Sequence, residues 1–177
     1  MVMRTWVGGT GRGMKYFTKD WFSGDLSEAT VDERVEKYNQ YLDEIFEALP
    51  FTLKVLFRSI SLHDAIIEKV VYDEERKTAT FHLLCGDRQV GYFALIIEYL
   101  NASKLDSSLF EENTLEILRD ELEWLKNENK YSHKLFFSDK SETEIVFEDI
   151  SLQLSTKGPL DYKRVISSLP RHHQKKI

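Results

Sequence analysis

Apolar and polar positions alternate most cleanly at residues 78–85, where Ala79, Phe81, Leu83 and Cys85 fall on one side and Thr78, Thr80 and His82 on the other. A period of two is that of a half-buried strand. The run before it, 65–72, is rich in β-branched residues, and Asp73-Glu74-Glu75-Arg76 makes a polar turn between the two. Gly86-Asp87-Arg88-Gln89 returns the chain into 91–99, which is apolar almost throughout. A strand of that kind is covered on both faces, so it is expected at the middle of the sheet.

Helical spacing flanks these segments. Thr30-Val31-Asp32-Glu33 matches a capping box, a hydroxyl with a carboxylate three positions on. Val31, Val35, Tyr38, Leu42, Ile45 and Leu49 then recur every three or four residues, with Tyr41 and Phe46 widening the stripe, which predicts a helix over 31–49 stopped by Pro50. Leu53, Leu56, Phe57 and Ile60 continue at i, i+3, i+4 and i+7, so Pro50 is expected in the first turn of a second helix. After a polar connector at 101–113, Asn113 and Glu116 suggest a cap, and Leu115, Leu118, Leu122 and Leu125, with Trp124 beside them, predict one more helix with an acidic outer face.

Two further strands are expected at 132–138 and 144–154, the second with a bulge or break near Glu148-Asp149, where apolar residues change parity. Tyr162, Val165, Ile166 and Leu169 give a short helical stripe before Pro170. The expected architecture is therefore α+β: a mainly antiparallel sheet of about five strands, with N-terminal helices and one inserted acidic helix packed on it. It occupies a single domain over 14–170, with a possible subdivision at 101–113, followed by a basic tail at 171–177. Phe81, Leu83, Leu95, Ile97, Leu42, Ile45, Leu118 and Leu122 are expected in one core, and Glu36, Glu44 and Glu121 on the surface.

Residues 1–13 stand apart. They hold four of the eight glycines (Gly8, Gly9, Gly11 and Gly13) and no acidic residue, and read as a leader ahead of a natural start at Met14. The spacing from Gly8 to Gly13 imitates a phosphate-binding loop, but Met14 follows where the lysine should stand, so no nucleotide role is expected.

Composition narrows the class. With 177 residues and 42% hydrophobic content the chain has ample core material. One cysteine excludes an intrachain disulfide and suits a cytoplasmic setting, and no apolar run is long enough to span a membrane. The net charge of -6 is uneven. Residues 15–47 carry nine acidic and four basic side chains, and 106–128 eight against two. By contrast, 157–176 carries six basic residues against Asp161. A body that repels phosphate argues against nucleic acid as the partner and for a basic protein.

His63-Asp64, where the first strand begins, is the one histidine–carboxylate pair at an element boundary. Such a pair could bind a metal or act as acid and base. Neighbouring strand residues point to opposite faces, however, which favours a local role: Asp64 capping a turn and His63 bonding a carbonyl. His82, with Tyr72 and Glu98 or Glu144 brought near by strand pairing, is the other binding candidate. No H-x-H, H-E-x-x-H or paired-cysteine spacing is present, so no metal and no cofactor are expected, and His172-His173 lie in the tail. Cys85 reads as an inert buried thiol.

Tyr16-Phe17-Thr18-Lys19, then Leu62-His63-Asp64 opening a β segment, then Glu123-Trp124-Leu125 before two further strands, resembles a family of bacterial proteins known as a domain of unknown function, found chiefly in Bacillus-like Firmicutes. The resemblance covers most of the chain from Met14 and implies a bacterial, cytosolic protein. It implies no activity, cofactor or catalytic residue. The style of an acidic helix-plus-sheet domain also occurs in bacterial immunity proteins.

The function these features favour is non-enzymatic binding, through an acidic helical or sheet surface. A small hydrolase or metal-dependent enzyme using His63 and Asp64 is the alternative. Self-association through Tyr92, Phe93 and their neighbours is a third.

Overall fold

The structure is a computed structural model and describes residues 13–87, 91–103, 105 and 115–156. Three helices come first: α1 (Lys19–Ser23), α2 (Glu28–Phe46) and α3 (Phe51–Ser59). Seven strands follow: β1 (Ala65–Asp73), β2 (Thr78–Asp87), β3 (Gly91–Leu100), β4 (Glu116–Leu125), β5 (Lys130–Phe137), β6 (Glu142–Phe147) and β7 (Asp149–Thr156). They form one antiparallel sheet in the order β6-β5-β4-β1-β2-β3-β7. The class is α+β, with more strands than the five expected.

One extra strand replaces the inserted helix. Residues 116–125 form β4, not a helix, and Glu116 is its first residue rather than part of a cap. The three- and four-residue leucine spacing there has another origin. A bulge between Ile117 and Arg119 shifts the register, and the buried residues come as neighbours: Glu116 with Ile117, and Glu121 with Leu122. Consecutive burial needs a strand covered on both faces, and pairing with β1 and β5 overrides the helix propensity of leucine and glutamate. The other extra strand comes from the parity change, which is a break: Glu148 separates β6 from β7.

The middle of the sheet is β1, not the apolar β3, which lies next to the β7 edge. β4 and β5, late in the chain, add beyond β1, an arrangement that no local pattern records. β3 is nonetheless paired on both sides, by β2 and β7.

Helix α2 begins a turn earlier than its capping signal. Ser27 is the N-cap, its Oγ accepting the Thr30 N–H at 3.3 Å, so Thr30 lies inside the first turn. Pro50 is the N-cap of α3, where its missing N–H costs nothing. In the β2–β3 hairpin, Gly86 has φ 96°, and a Cβ there would sit 2.1 Å from the Gly91 carbonyl oxygen. Only glycine fits that position.

β6 and β7 are opposite ends of the strand order yet are joined by one residue, so the sheet curls until its ends meet. Glu148 N–H donates to Leu100 O at 3.0 Å, and Ser103 N–H to Val146 O at 2.7 Å, closing that corner. The weak seam is elsewhere: β4 pairs with β1 only at Ile117–Ala65 and Glu116–Ile66. Past that point, hydroxyls from α2 accept the free strand N–H groups, Tyr38 from Leu122 at 2.7 Å and Tyr41 from Trp124 at 2.8 Å. A helix thus satisfies donors that a strand would otherwise take.

The core unites Leu42 and Ile45 of α2, Phe81, Leu83, Leu95 and Ile97 of β2 and β3, and Leu122 of β4, with Leu118 half-buried at its margin. No helix among the described residues is long and apolar enough to cross a membrane.

Candidate functional site

The His63 ring meets backbone: Nδ1 lies 2.9 Å from the Leu118 carbonyl oxygen, to which it donates, tying the entry of β1 to β4. Asp64 sits at φ 62°, a turn conformation that aspartate tolerates, and its N–H donates to Ile117 O at 2.8 Å. Asp64 Oδ1 is 3.5 Å from the same His63 nitrogen, and both side chains are about half exposed. The two side chains therefore meet at a strand junction.

The second set of candidates does not converge. Tyr72 pairs with Ala79 and belongs to the core side, where its hydroxyl donates to Ala102 O at 3.4 Å. His82 pairs with Lys69 and Ile96 and points to the other side. Glu98 shares that side but is level with Thr80, and it accepts from Ser151 Oγ at 3.2 Å. Glu144 is held on β6 by Ser132 Oγ at 2.6 Å. Cys85 is fully buried, and burial pushes its thiol up to about 12, far from a nucleophile's range. Among the described residues no group of three or more His, Cys, Asp or Glu could hold a metal ion. His172, His173 and the glycines before Gly13 lie outside the described residues.

The densest polar chemistry lies on β4 and β5, on residues that were not among the expected site candidates. On one face, Glu121 is buried and its carboxylate accepts three successive backbone N–H groups: Lys15 at 2.7 Å, Tyr16 at 2.6 Å and Phe17 at 2.6 Å. The N-terminal strap, residues 13–22, is thereby clamped across the strands. Lys134, also buried, donates to Glu123 Oε2 at 2.9 Å and to Gly13 O at 3.4 Å. Phe22 stacks on Phe136, ring centres 3.8 Å apart. Glu121, expected on the surface, is thus a buried anchor, because only a carboxylate offers acceptors for three converging donors.

On the opposite face lies a carboxylate–imidazole–phenol chain. His133 Nε2 donates to Asp120 Oδ2 at 3.1 Å, which leaves Nδ1 as acceptor for the Tyr99 hydroxyl at 2.8 Å. Burial, then the nearby Asp120 charge, raises the Tyr99 phenol well above its ordinary range, so it stays a donor. The same two causes raise Tyr38. An acid–base relay needs an open end for substrate. Here His133 and Tyr99 are enclosed by Phe57 and Phe147, so the chain cross-links β3, β4 and β5 instead. The one available signal was His133 itself, standing within the run Tyr131 to Phe137, whose buried members include four aromatic or aliphatic residues.

At the β4–β5 turn a shallow cleft of about 380 Å³ is lined by Glu123, Trp124, Leu125, Lys126, Asn127 and Glu128. The Lys126 ammonium lies 5.0 Å from the Trp124 ring centre.

No protein-family model, no curated protein and no solved structure matches the chain.

Proposed function

We propose that the protein is a cytosolic, non-enzymatic interaction protein that engages a basic protein partner through the outward face of α2. The observation that carries this reading is the state of the carboxylates on that helix. Glu33, Asp43 and Glu47 are paired with Lys37, Arg58 and Lys54. Glu28, Asp32, Glu36 and Glu44 are exposed and lie in no ion pair among the described residues. Three of these follow at four-residue intervals, which puts them on one face. Tyr38, Leu42 and Ile45 fix the opposite face in the core, so the acidic face is presented without freedom to rotate. Uncompensated charge on a fixed surface steers an oppositely charged protein and favours fast association.

The second acidic stretch contributes less than its composition suggested, because Glu116 and Glu121 are buried and Glu123 is engaged by Lys134. The hydrolase alternative has no comparable support, since the His63 ring is taken by a carbonyl.

The test is the combined variant Glu28→Gln, Asp32→Asn, Glu36→Gln and Glu44→Gln, compared with the native chain as bait in a lysate of the source organism, followed by kinetics with the purified partner. The expected result is a basic protein whose association rate falls as salt rises and which the variant does not retain. Retention of the same proteins by the variant, with unchanged kinetics, contradicts the proposal.

A further inference from the structure

The two edges of the sheet are chemically unlike. β6 carries Glu142 and Glu144, and its last turn is sealed by Ser103, which donates to Val146 O and whose Oγ accepts the Val146 N–H at 3.2 Å. β7 reads Asp-Ile-Ser-Leu-Gln-Leu-Ser-Thr, with no charge after Asp149 and no proline. Its register with β3 runs unbroken from Asp149 to Thr156. Charge, proline and bulges are how sheet edges are kept from pairing with another chain. Beyond Asp149, β7 has none of them.

The direction of its backbone groups follows from one bond. The Ile67 N–H donates to Leu115 O, just ahead of β4, at 2.8 Å, so the core-facing pair Ile67–Leu83 is non-bonded. Leu83–Leu95 is then bonded, and Leu95–Leu154 and Tyr99–Ile150 are non-bonded again. The Ile150 N–H thus turns away from β3, and the Asp149 carboxylate accepts it at 2.8 Å. Antiparallel partners alternate between bonded and non-bonded pairs, so the backbone groups of Leu152, Leu154 and Thr156 also turn away from β3. Among the described residues no backbone group bonds to them from that side. Leu154 lies there 55% exposed.

We propose that this edge is a self-association site, at which β7 of two copies pair antiparallel about a two-fold axis through Gln153. The sequence is self-complementary in that register. Groups turned outward meet groups turned outward: Leu152 faces Leu154 of the second copy, Ile150 faces Thr156, and Gln153 faces Gln153. It is the register that uses the whole uncharged run 150–156, and it covers the exposed Leu154 with an apolar neighbour. No like charges come opposite each other, whereas the same pairing at β6 would bring glutamates together. Self-association thus belongs at β7 rather than at Tyr92 and Phe93, which are half-buried on a strand paired on both sides.

The register sets the test. At the two-fold, Gln153 forms a non-hydrogen-bonded pair whose Cα atoms are about 4.5 Å apart, within reach of a disulfide. Ser155 instead faces Ser151, and its own copy lies roughly 13 Å away. The full-length chain carrying Gln153→Cys is expected to cross-link to a covalent dimer on mild oxidation, and Ser155→Cys is not. Cys85 is fully buried, and the native chain is the control for it. In sedimentation, the native chain is expected to dimerise with concentration. Leu154→Lys should weaken that by about tenfold or more, with an unchanged melting point at dilutions where the native chain is monomeric, since a charge enters each of the two Leu152–Leu154 contacts. A native chain that stays monomeric at every concentration, with no Gln153→Cys cross-link, overturns the proposal, whether residues 157–177 or another protein's strand takes the edge. Equal cross-linking at 153 and 155 overturns it as well.

Discussion

The β2–β3 hairpin and the β4–β5 hairpin sit in the same sheet and follow opposite designs. Apart from Leu84, which is also buried, β2 and β3 bury alternate residues: Phe81, Leu83, Leu95 and Ile97 inward, with Thr80, His82, Ile96 and Glu98 half-buried on the other side. β5 is buried at seven consecutive positions, including Ser132, His133 and Lys134. The difference lies in what covers them. β4–β5 is enclosed by α3 and Tyr99 on one face and by the N-terminal strap on the other, and its inward polar groups each hold a neighbour in place. One hairpin is stabilised by apolar area, which is non-directional, and the other by hydrogen bonds that specify partners.

The largest effect that would break this contrast is expected at Glu121. Glu121→Ala strands three converging N–H groups and should cost roughly 3 to 5 kcal/mol in urea melts, whereas Glu121→Gln keeps an acceptor and should cost less. Equal losses would mean that the negative charge, not the acceptor geometry, holds the strap. In the apolar hairpin, Leu83→Ala is expected to cost about 2 to 5 kcal/mol, and Leu154→Ala on the exposed edge less than about 0.5. Similar values for the two leucines would remove the assignment of faces.

Tyr99→Phe should cost roughly 1 to 3 kcal/mol by leaving His133 Nδ1 without its donor. It also has a pH signature. The Tyr99 phenol is raised in the folded state above its ordinary 10.0, so its contribution is complete below that value and is lost as pH rises above it. The variant should lose less stability than the native protein between pH 9 and 11 (about one unit either side of the free phenol), read as melting temperature against pH. At the junction of β1 and β4, His63→Ala should cost about 1 kcal/mol, less than a buried bond because the ring is half exposed, and no divalent metal should raise the native melting point. Metal stabilisation abolished by that substitution would restore the enzyme reading.

The smallest effect belongs to the surface. Asp20 is held well below the usual carboxylate range by the Arg34 guanidinium and the Thr18 hydroxyl. A lowered folded value means a contribution present above the ordinary 3.8 and lost as pH falls below it, so Asp20→Asn should slightly flatten the acid limb of the melting curve.

What was legible in the chain follows the same division. α2, α3 and β1 to β3 carry local periodicities, and each was readable to within a few residues of its bounds. β4 was not, because a strand buried on both faces loses the alternation that marks a strand, and its leucines fall at helical spacing. At the candidate sites, the His63 contact was readable because an adjacent aspartate and a strand entry constrain it locally. Glu121 was not, since the amide it binds most distantly is 106 positions away. Asp120, His133 and Tyr99 come from three strands whose pairing order only the folded chain displays. Charge clustering was informative on α2 and misleading at 116–123, where composition cannot tell a solvated glutamate from a buried acceptor.

The central claim is that the strap is part of the fold, fixed by Glu121 against β4 and β5. Native-state hydrogen exchange, resolved by residue, tests it most directly through the Lys15, Tyr16 and Phe17 amides. They are predicted to exchange slowly, on the scale of the β4–β5 amides, and to speed up together in Glu121→Ala while the β2–β3 amides keep their order of protection. Exchange of these three amides at unprotected rates in the native chain would contradict the claim.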